Sequence, residues 1–315
     1  MAESGQRGTP PPIRAALLGQ ARISVGTRPI TDDDWLRRNV RSLLLLLLAT
    51  PGHRLPRDRV LDLLWPEAEP KRATNALYVA LHGLRRVLEP ELDVGRASAY
   101  IESGAEIVGL RAGASVSLDV DAFEAGLASA ASASGEERRA RLREALALYR
   151  GDLLPDEAYA DWAVAPRERL RRRYRRAVLD LADMDVTAGE PEKVVPLLEH
   201  LLEMERTDEV ARRTLMRALA AAGQRDEAVE WYRRGSDALH DELGVEPEDA
   251  TRILADEIRA LASAPAALLP TAIAIRPQAN VPAPPNALVG RAREVEGLQD
   301  LLFDRDVRLV TVTGP

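Results

Sequence analysis

Leucines at positions 77, 81, 84 and 88 recur at the three- and four-residue spacing of a single helical face, and no other feature restricts the fold of this chain as tightly. At 100° per residue they line one side of a helix spanning about residues 71–88, and that side must pack inward. Arg72, Asn75, Val79, His82 and Arg86 fall on the opposite side. The outward set combines an Arg able to bond guanine bidentately, an Asn able to bond adenine and an apolar residue able to touch a thymine methyl group. A helix that enters the major groove needs such a set. An ordinary amphipathic helix with a solvated polar face has the same periodicity, so the flanking elements must decide.

Those elements point one way. Ile13, Ala15 and Leu17, then Ala21, Ile23 and Val25, are apolar at every second position, with turns at Gly19-Gln20 and Gly26-Thr27, which predicts a small antiparallel meander. Asp32, Asp33 and Asp34 offer N-caps to a helix over about residues 35–50, whose leucines surround its axis and which Pro51-Gly52 ends. A shorter helix over about residues 57–65 and a loop at 66–70 precede the 71–88 helix, which Pro90 closes. Segments 100–103 and 106–110 flank Gly104 as a hairpin. Sheet, three helices and hairpin in that order predict an α+β winged helix-turn-helix with an extra N-terminal sheet, over residues 13–111. Its candidate DNA contacts are Arg72, Asn75, Val79, His82, Arg85 and Arg86 on the third helix, with Tyr100 and Ser103 on the hairpin.

The net charge of −7 would argue against a nucleic-acid partner if it were evenly spread. It is not: residues 13–111 hold 15 Lys and Arg against 12 Asp and Glu, whereas residues 112–315 hold 27 against 37. Any phosphate-facing surface therefore belongs to the N-terminal part. The basic residues are nearly all Arg, with Lys only at 71 and 193; Arg suits bidentate contacts, but a GC-rich genome gives the same bias. There is no cysteine, and His53, His82, His200 and His240 are scattered, so neither a disulfide nor a metal cluster is expected. No cofactor is expected in this segment, and no nucleophile–base pair or paired carboxylates stand out to make it an enzyme. The apolar run at 43–49 lies too far from the start for an export signal and is too short to span a bilayer, which favours a cytoplasmic protein without a membrane partner.

Beyond residue 119 the strand patterns cease, and helices rich in Ala, Leu, Glu and Arg run to about residue 261. Setting Ala188-Gly189 against Ala222-Gly223 also matches Glu192 with Asp226, Val195 with Val229 and Leu181 with Leu215, a period of 34 residues. That is the period of tetratricopeptide helical hairpins. The fold class expected is therefore mainly α: a winged helix followed, over residues 119–261, by an all-α, tetratricopeptide-like domain. Within it the basic run 167–176 either contacts DNA or an acidic partner, or is a solvated helix face anchored by Leu170 and Tyr174. Residues 1–12 read as a flexible tail and residues 262–286 as an Ala/Pro linker. In the segment 287–315 an apolar run ends in Thr313-Gly314-Pro315, as a strand entering a phosphate-binding loop would, but the required G-x-x-x-x-G-K-[ST] is not reached.

Four stretches together resemble the Streptomyces antibiotic regulatory protein family of activators, in which an OmpR-type winged helix is joined to a bacterial transcriptional activation domain. They are Leu63-Leu64-Trp65-Pro66-Glu67-Ala68, Leu84-Arg85-Arg86-Val87-Leu88-Glu89-Pro90, Leu148-Tyr149-Arg150-Gly151-Asp152-Leu153-Leu154-Pro155, and Asp241-Glu242-Leu243-Gly244-Val245-Glu246-Pro247 with the Glu-Asp-Ala-Thr that follows. The segment from Leu288-Val289-Gly290-Arg291 to Gly314 is similar to the start of the ATPase domain of larger members. The resemblance implies binding of double-stranded promoter DNA by side-by-side copies on direct repeats, self-association there, and recruitment of RNA polymerase holoenzyme. It also implies that the loop after the second helix meets polymerase, through Trp65, Glu67 and Glu69. One departure from the family pattern is Gly83, where a polar residue is usual: it costs about 1 kcal/mol of helix stability and removes a possible base contact, for which His82 compensates.

Two other classes stay open from sequence alone. The chain is the front part of a signal-transduction ATPase, marked by a Gly-Lys-Thr or Gly-Lys-Ser sequence beyond residue 315. Alternatively it is a helical-repeat scaffold whose winged helix no longer binds DNA, marked by loss of salt-sensitive binding.

Overall fold

The computed structural model describes residues 10–35, 37–93 and 95–263. The expectations for residues 1–9 and for the linker and ATPase-like segment from residue 264 onward lie outside the described residues.

The alternating N-terminus forms β1 (Ile13–Ala16), β2 (Arg22–Val25) and β3 (Arg28–Ile30), paired antiparallel as the apolar alternation requires. A fourth strand, β7 (Val116–Leu118), was not expected; it pairs parallel with β1 and completes the order β3-β2-β1-β7. Between β3 and β7 runs the winged helix: α1 (Arg38–Ala49), β4 (Arg54–Pro56), α2 (Arg57–Leu64), α3 (Pro70–Leu88), β5 (Ile101–Ser103) and β6 (Ile107–Leu110). The second sheet, β4-β6-β5, is antiparallel throughout, and its β5–β6 hairpin is the wing.

The three aspartates do not cap α1. They form a 3-10 turn capped by Thr31, whose backbone N–H bonds the Asp34 carboxylate at 2.7 Å. Helix α1 instead starts from an extended Arg37 without a side-chain cap. Its stability comes from packing: Leu43 to Leu48 are all buried, each worth about 1.5–3 kcal/mol relative to exposure. A helix can be apolar on every side only if it is surrounded, and α1 is, by α2, by α3 and by α6 of the helical part.

The helical part comprises α4 (Asp119–Ala131), α5 (Gly135–Leu146), α6 (Asp161–Thr187), α7 (Val195–Met204), α8 (Glu209–Ala221), α9 (Arg225–Leu243) and α10 (Asp249–Ser263). The change of pattern near residue 111 is not a seam in the structure. Asp119 at the start of α4 accepts the backbone N–H groups of Leu17 (2.8 Å) and Leu18 (3.0 Å). Gly19 donates to the Asp152 carbonyl and Leu154 to the Leu17 carbonyl, both at 2.9 Å, and Arg41 of α1 pairs with the buried Glu157. The described residues accordingly fall within one compact unit.

The basic run also finds a different use from either expectation. Leu170 and Tyr174 are buried as anchors, but the arginines around them tie α6 to its neighbours. Arg167 donates to the Leu153 and Leu154 carbonyls, Arg171 pairs with Asp152, Arg173 with Glu124 and Arg175 with Asp208. Among the arginines of the run, all of them described, only Arg172 and Arg176 carry no ion pair or side-chain hydrogen bond. A helix-surface pattern reveals which residues face outward from one helix, not what stands opposite them.

Gly189 and Gly223 close α6 and α8 at φ of 77° and 83°. In both, the residue after the glycine donates to the carbonyl five residues back, Glu190 to Asp185 at 2.9 Å and Gln224 to Leu219 at 2.8 Å, while the glycine N–H bonds the carbonyl three back. These are two Schellman closures in matched positions. No atom lies within 4 Å of a Cβ added at Gly223, so only backbone strain opposes a side chain there. Gly223→Val is expected to cost about 1–2 kcal/mol, read as a lower melting temperature; an unchanged melting temperature would mean that the turn relaxes freely.

Candidate nucleic-acid interface

Helix α3 is set by its inward face. Leu77, Leu81, Leu84 and Leu88 are all 2% exposed or less, as their spacing requires. Pro70 occupies the first helical position after Glu69, where its missing N–H costs nothing, and Arg85 and Arg86 stand in the last turn, where the helix dipole favours cations.

The outward set comes to one surface. Arg72, Asn75, Val79, His82 and Arg86 are all exposed, Val79 with 47% of its area free. Three residues that the sequence reading passed over share that surface. Lys71 is exposed beside Asn75, and Tyr78 is 59% exposed, a large aromatic left unburied next to the exposed Val79. Arg57, at the start of α2, lies over the Tyr78 ring at 4.7 Å from its centroid.

The other expected contacts differ in kind. Arg85 is half-buried and donates to the Ser103 hydroxyl at 2.5 Å, so it holds the exposed end of the wing against α3. Tyr100 is not available to DNA: it is 2% exposed, its hydroxyl donates to the Pro11 carbonyl at 2.8 Å, and burial followed by the Glu89 charge pushes its phenol above the ordinary value. Its place at the start of a hairpin suggested exposure, but the N-terminal segment covers it. Gly83 is likewise no groove position. It is buried, and a Cβ there would stand 2.8 Å from Cγ2 of Val40. Arg54 on β4 is neutralised by Glu102 at 2.5 Å.

In the loop between α2 and α3, Trp65 is half-buried against the core and ends α2 by donating its N–H to Leu61 at 2.8 Å, whereas Glu67 and Glu69 are exposed. Among the described residues no three His, Asp or Glu side chains are placed to hold a metal, and no helix is long and apolar enough to cross a membrane.

The order of elements, the sorted α3 and the wing define a transcription regulator in which a winged helix is welded to an all-helical partner. Comparison with known families agrees: residues 34–104 match the C-terminal domain of transcriptional regulatory proteins, and residues 118–259 match the bacterial transcriptional activator domain. The chain belongs to the Streptomyces antibiotic regulatory protein family of OmpR-type regulators. It is 32% identical over 270 residues to regulatory protein AfsR of Streptomyces coelicolor, covering 83% of this chain but 26% of that protein. It is 26% identical over 223 residues to transcriptional regulatory protein MoaR1 of Mycobacterium tuberculosis, covering 69% of this chain and 71% of the relative. The fold is also that of Mycobacterium tuberculosis EmbR, solved in complex with a low-affinity phosphopeptide (TM-score 0.59, 22% identity, 80% of this chain and 66% of the other). The chain thus spans about a quarter of the length of the first of these relatives.

Proposed function

We propose that this chain is a sequence-specific activator that sets α3 in the major groove of promoter DNA, binds direct repeats as adjacent copies and recruits RNA polymerase holoenzyme. The observation that carries the reading is the continuous exposed face of Arg72, Asn75, Val79, His82 and Arg86 on a helix whose other side is sealed by leucine. Major-groove readout needs polar groups that are rigidly held and free of internal partners. Among the described residues none of Arg72, Asn75, His82 and Arg86 has a side-chain hydrogen bond. The reading calls for no cofactor.

The test begins with selection of bound duplexes from a random-sequence library. For the selected duplex, Arg86→Ala and Asn75→Ala are each expected to lose about 1–3 kcal/mol of binding and to relax preference at one base position. Unchanged affinity in both variants would overturn the orientation of α3. Two or more half-sites in tandem orientation among the selected duplexes would support adjacent copies.

Polymerase recruitment is assigned to the loop at 65–70. Two prolines stiffen it, Trp65 anchors it, and Glu67 and Glu69 would repel DNA phosphate but pair with a basic protein surface. Replacing both glutamates with Ala is expected to leave operator affinity equal or slightly tighter while lowering transcription severalfold in a reconstituted assay. Full transcription by the double variant would move the contact elsewhere, first to the exposed Arg172 and Arg176 of α6.

A further inference from the structure

We propose that Arg57 and Tyr78 form a clamp for a DNA backbone phosphate, flanking the reading face of α3; this rests on the DNA-binding reading above. Arg57 starts α2, and its backbone N–H bonds the Glu106 carbonyl at 2.7 Å, which fixes it to the wing turn. Its guanidinium lies over the Tyr78 ring, 4.7 Å from the centroid, and among the described residues it has no ion pair or side-chain hydrogen bond. Neither Asp58, its neighbour in sequence, nor Glu106, whose carbonyl its backbone meets, forms an ion pair with it, although both are exposed. By contrast Arg54, three residues earlier, is paired with Glu102.

An arginine stacked on an aromatic ring and left without an anion is an incomplete site. Stacking restricts the guanidinium to one plane and so lowers the entropy lost when its remaining N–H groups bond a planar-matched or tetrahedral oxyanion. The ring that holds it is on α3 itself, one position from Val79 and three from Asn75. In a helix-turn-helix the helix before the reader crosses the sugar–phosphate backbone, so a cation at the start of α2 and at the edge of α3 meets phosphate rather than base edges. Tyr78 is then a positioning residue: its exposed ring contributes to affinity by holding Arg57, not by reading a base. This accounts for an aromatic side chain left 59% exposed beside a polar face.

The clamp predicts a sequence-independent signature, so it is tested on the full chain with a mixed-sequence duplex of a few helical turns. Arg57→Gln is expected to weaken binding about fivefold at 0.15 M salt and to reduce the slope of log K against log salt by about one. Tyr78→Ala should lose a similar factor, Tyr78→Phe should lose little, and Arg57→Gln combined with Tyr78→Ala should lose no more than Arg57→Gln alone. All these positions are on the surface or at its edge, so equal melting temperatures are expected and are measured alongside. A salt slope unchanged in Arg57→Gln, or losses that simply add in the double variant, would overturn the clamp while leaving DNA binding intact. Tyr78→Ala that alters preference at one base with an unchanged salt slope would overturn it in favour of direct reading. Absence of salt-dependent binding by the unaltered chain would overturn the clamp and the DNA-binding reading together.

Discussion

A chain ending at Arg111 is expected to lose cooperative folding and, with it, DNA binding, whereas one ending at Ser263 should melt as a single unit. The family match to residues 34–104 invites the cut, yet the cut removes β7, the parallel partner of β1, and Asp119, which holds the N–H groups of Leu17 and Leu18. It also strips Arg41 of Glu157 and exposes the side of α1 that α6 covers. Leu17 and Leu18 are both 2% exposed or less, and baring even these two costs about 3–6 kcal/mol. Lost hydrogen bonds add about 1 kcal/mol each. Against a typical net stability of about 5–15 kcal/mol, that is most of what a small domain has. Asp119→Ala in the longer chain isolates one part of this: the charge-assisted bonds from Leu17 and Leu18 are lost, with the local one from Val120, for about 2–4 kcal/mol. Urea unfolding followed by circular dichroism measures both. A fragment of residues 1–111 with a sharp transition and full affinity for DNA would show that the joint is dispensable.

How far the fold was legible depends on how local its causes are. Periodicity placed α3, its leucine face and its exposed face, because burial of one helix side is written in neighbouring residues. The N-terminal meander was equally local. Strand β7 was not legible: it has three residues, and its partner β1 lies about a hundred positions earlier in the chain. The arginines of α6 were misjudged for the same reason, since their carboxylate partners Asp152, Glu124 and Asp208 lie on other elements. Tyr100 read as an exposed hairpin residue because nothing in its neighbourhood announces Pro11 as its cover. Tyr78 was passed over for the opposite reason: an aromatic next to Leu77 reads as core, and only the fold shows it facing outward.

Gly83 is where packing and function meet most directly, and its enlargement is expected to separate folding from DNA affinity. Helix propensity alone favours Gly83→Ala by about 1 kcal/mol. The fold opposes it, because the new Cβ would lie 2.8 Å from Cγ2 of Val40, itself 1% exposed in the α1–α3 contact. Two well-packed helices cannot both keep their places when a methyl group enters between them; overpacking costs about 1–3 kcal/mol. Gly83→Ala is therefore expected to be close to neutral in stability, the gain and the strain offsetting each other. Gly83→Leu has no such balance, and it should lower stability by about 2–3 kcal/mol and push α3 away from α1. A displacement of about 1 Å is enough to break several base contacts at once, each worth about 1–3 kcal/mol, so DNA affinity should fall by more than stability does. Trimming the opposing side chain supplies the control. Gly83→Leu with Val40→Ala relieves part of the clash, and its operator affinity should recover towards that of the unaltered chain. If Gly83→Leu binds DNA normally at a temperature where it is fully folded, α3 is not held in register by α1, and the reading face must be positioned from the α2 and wing side instead.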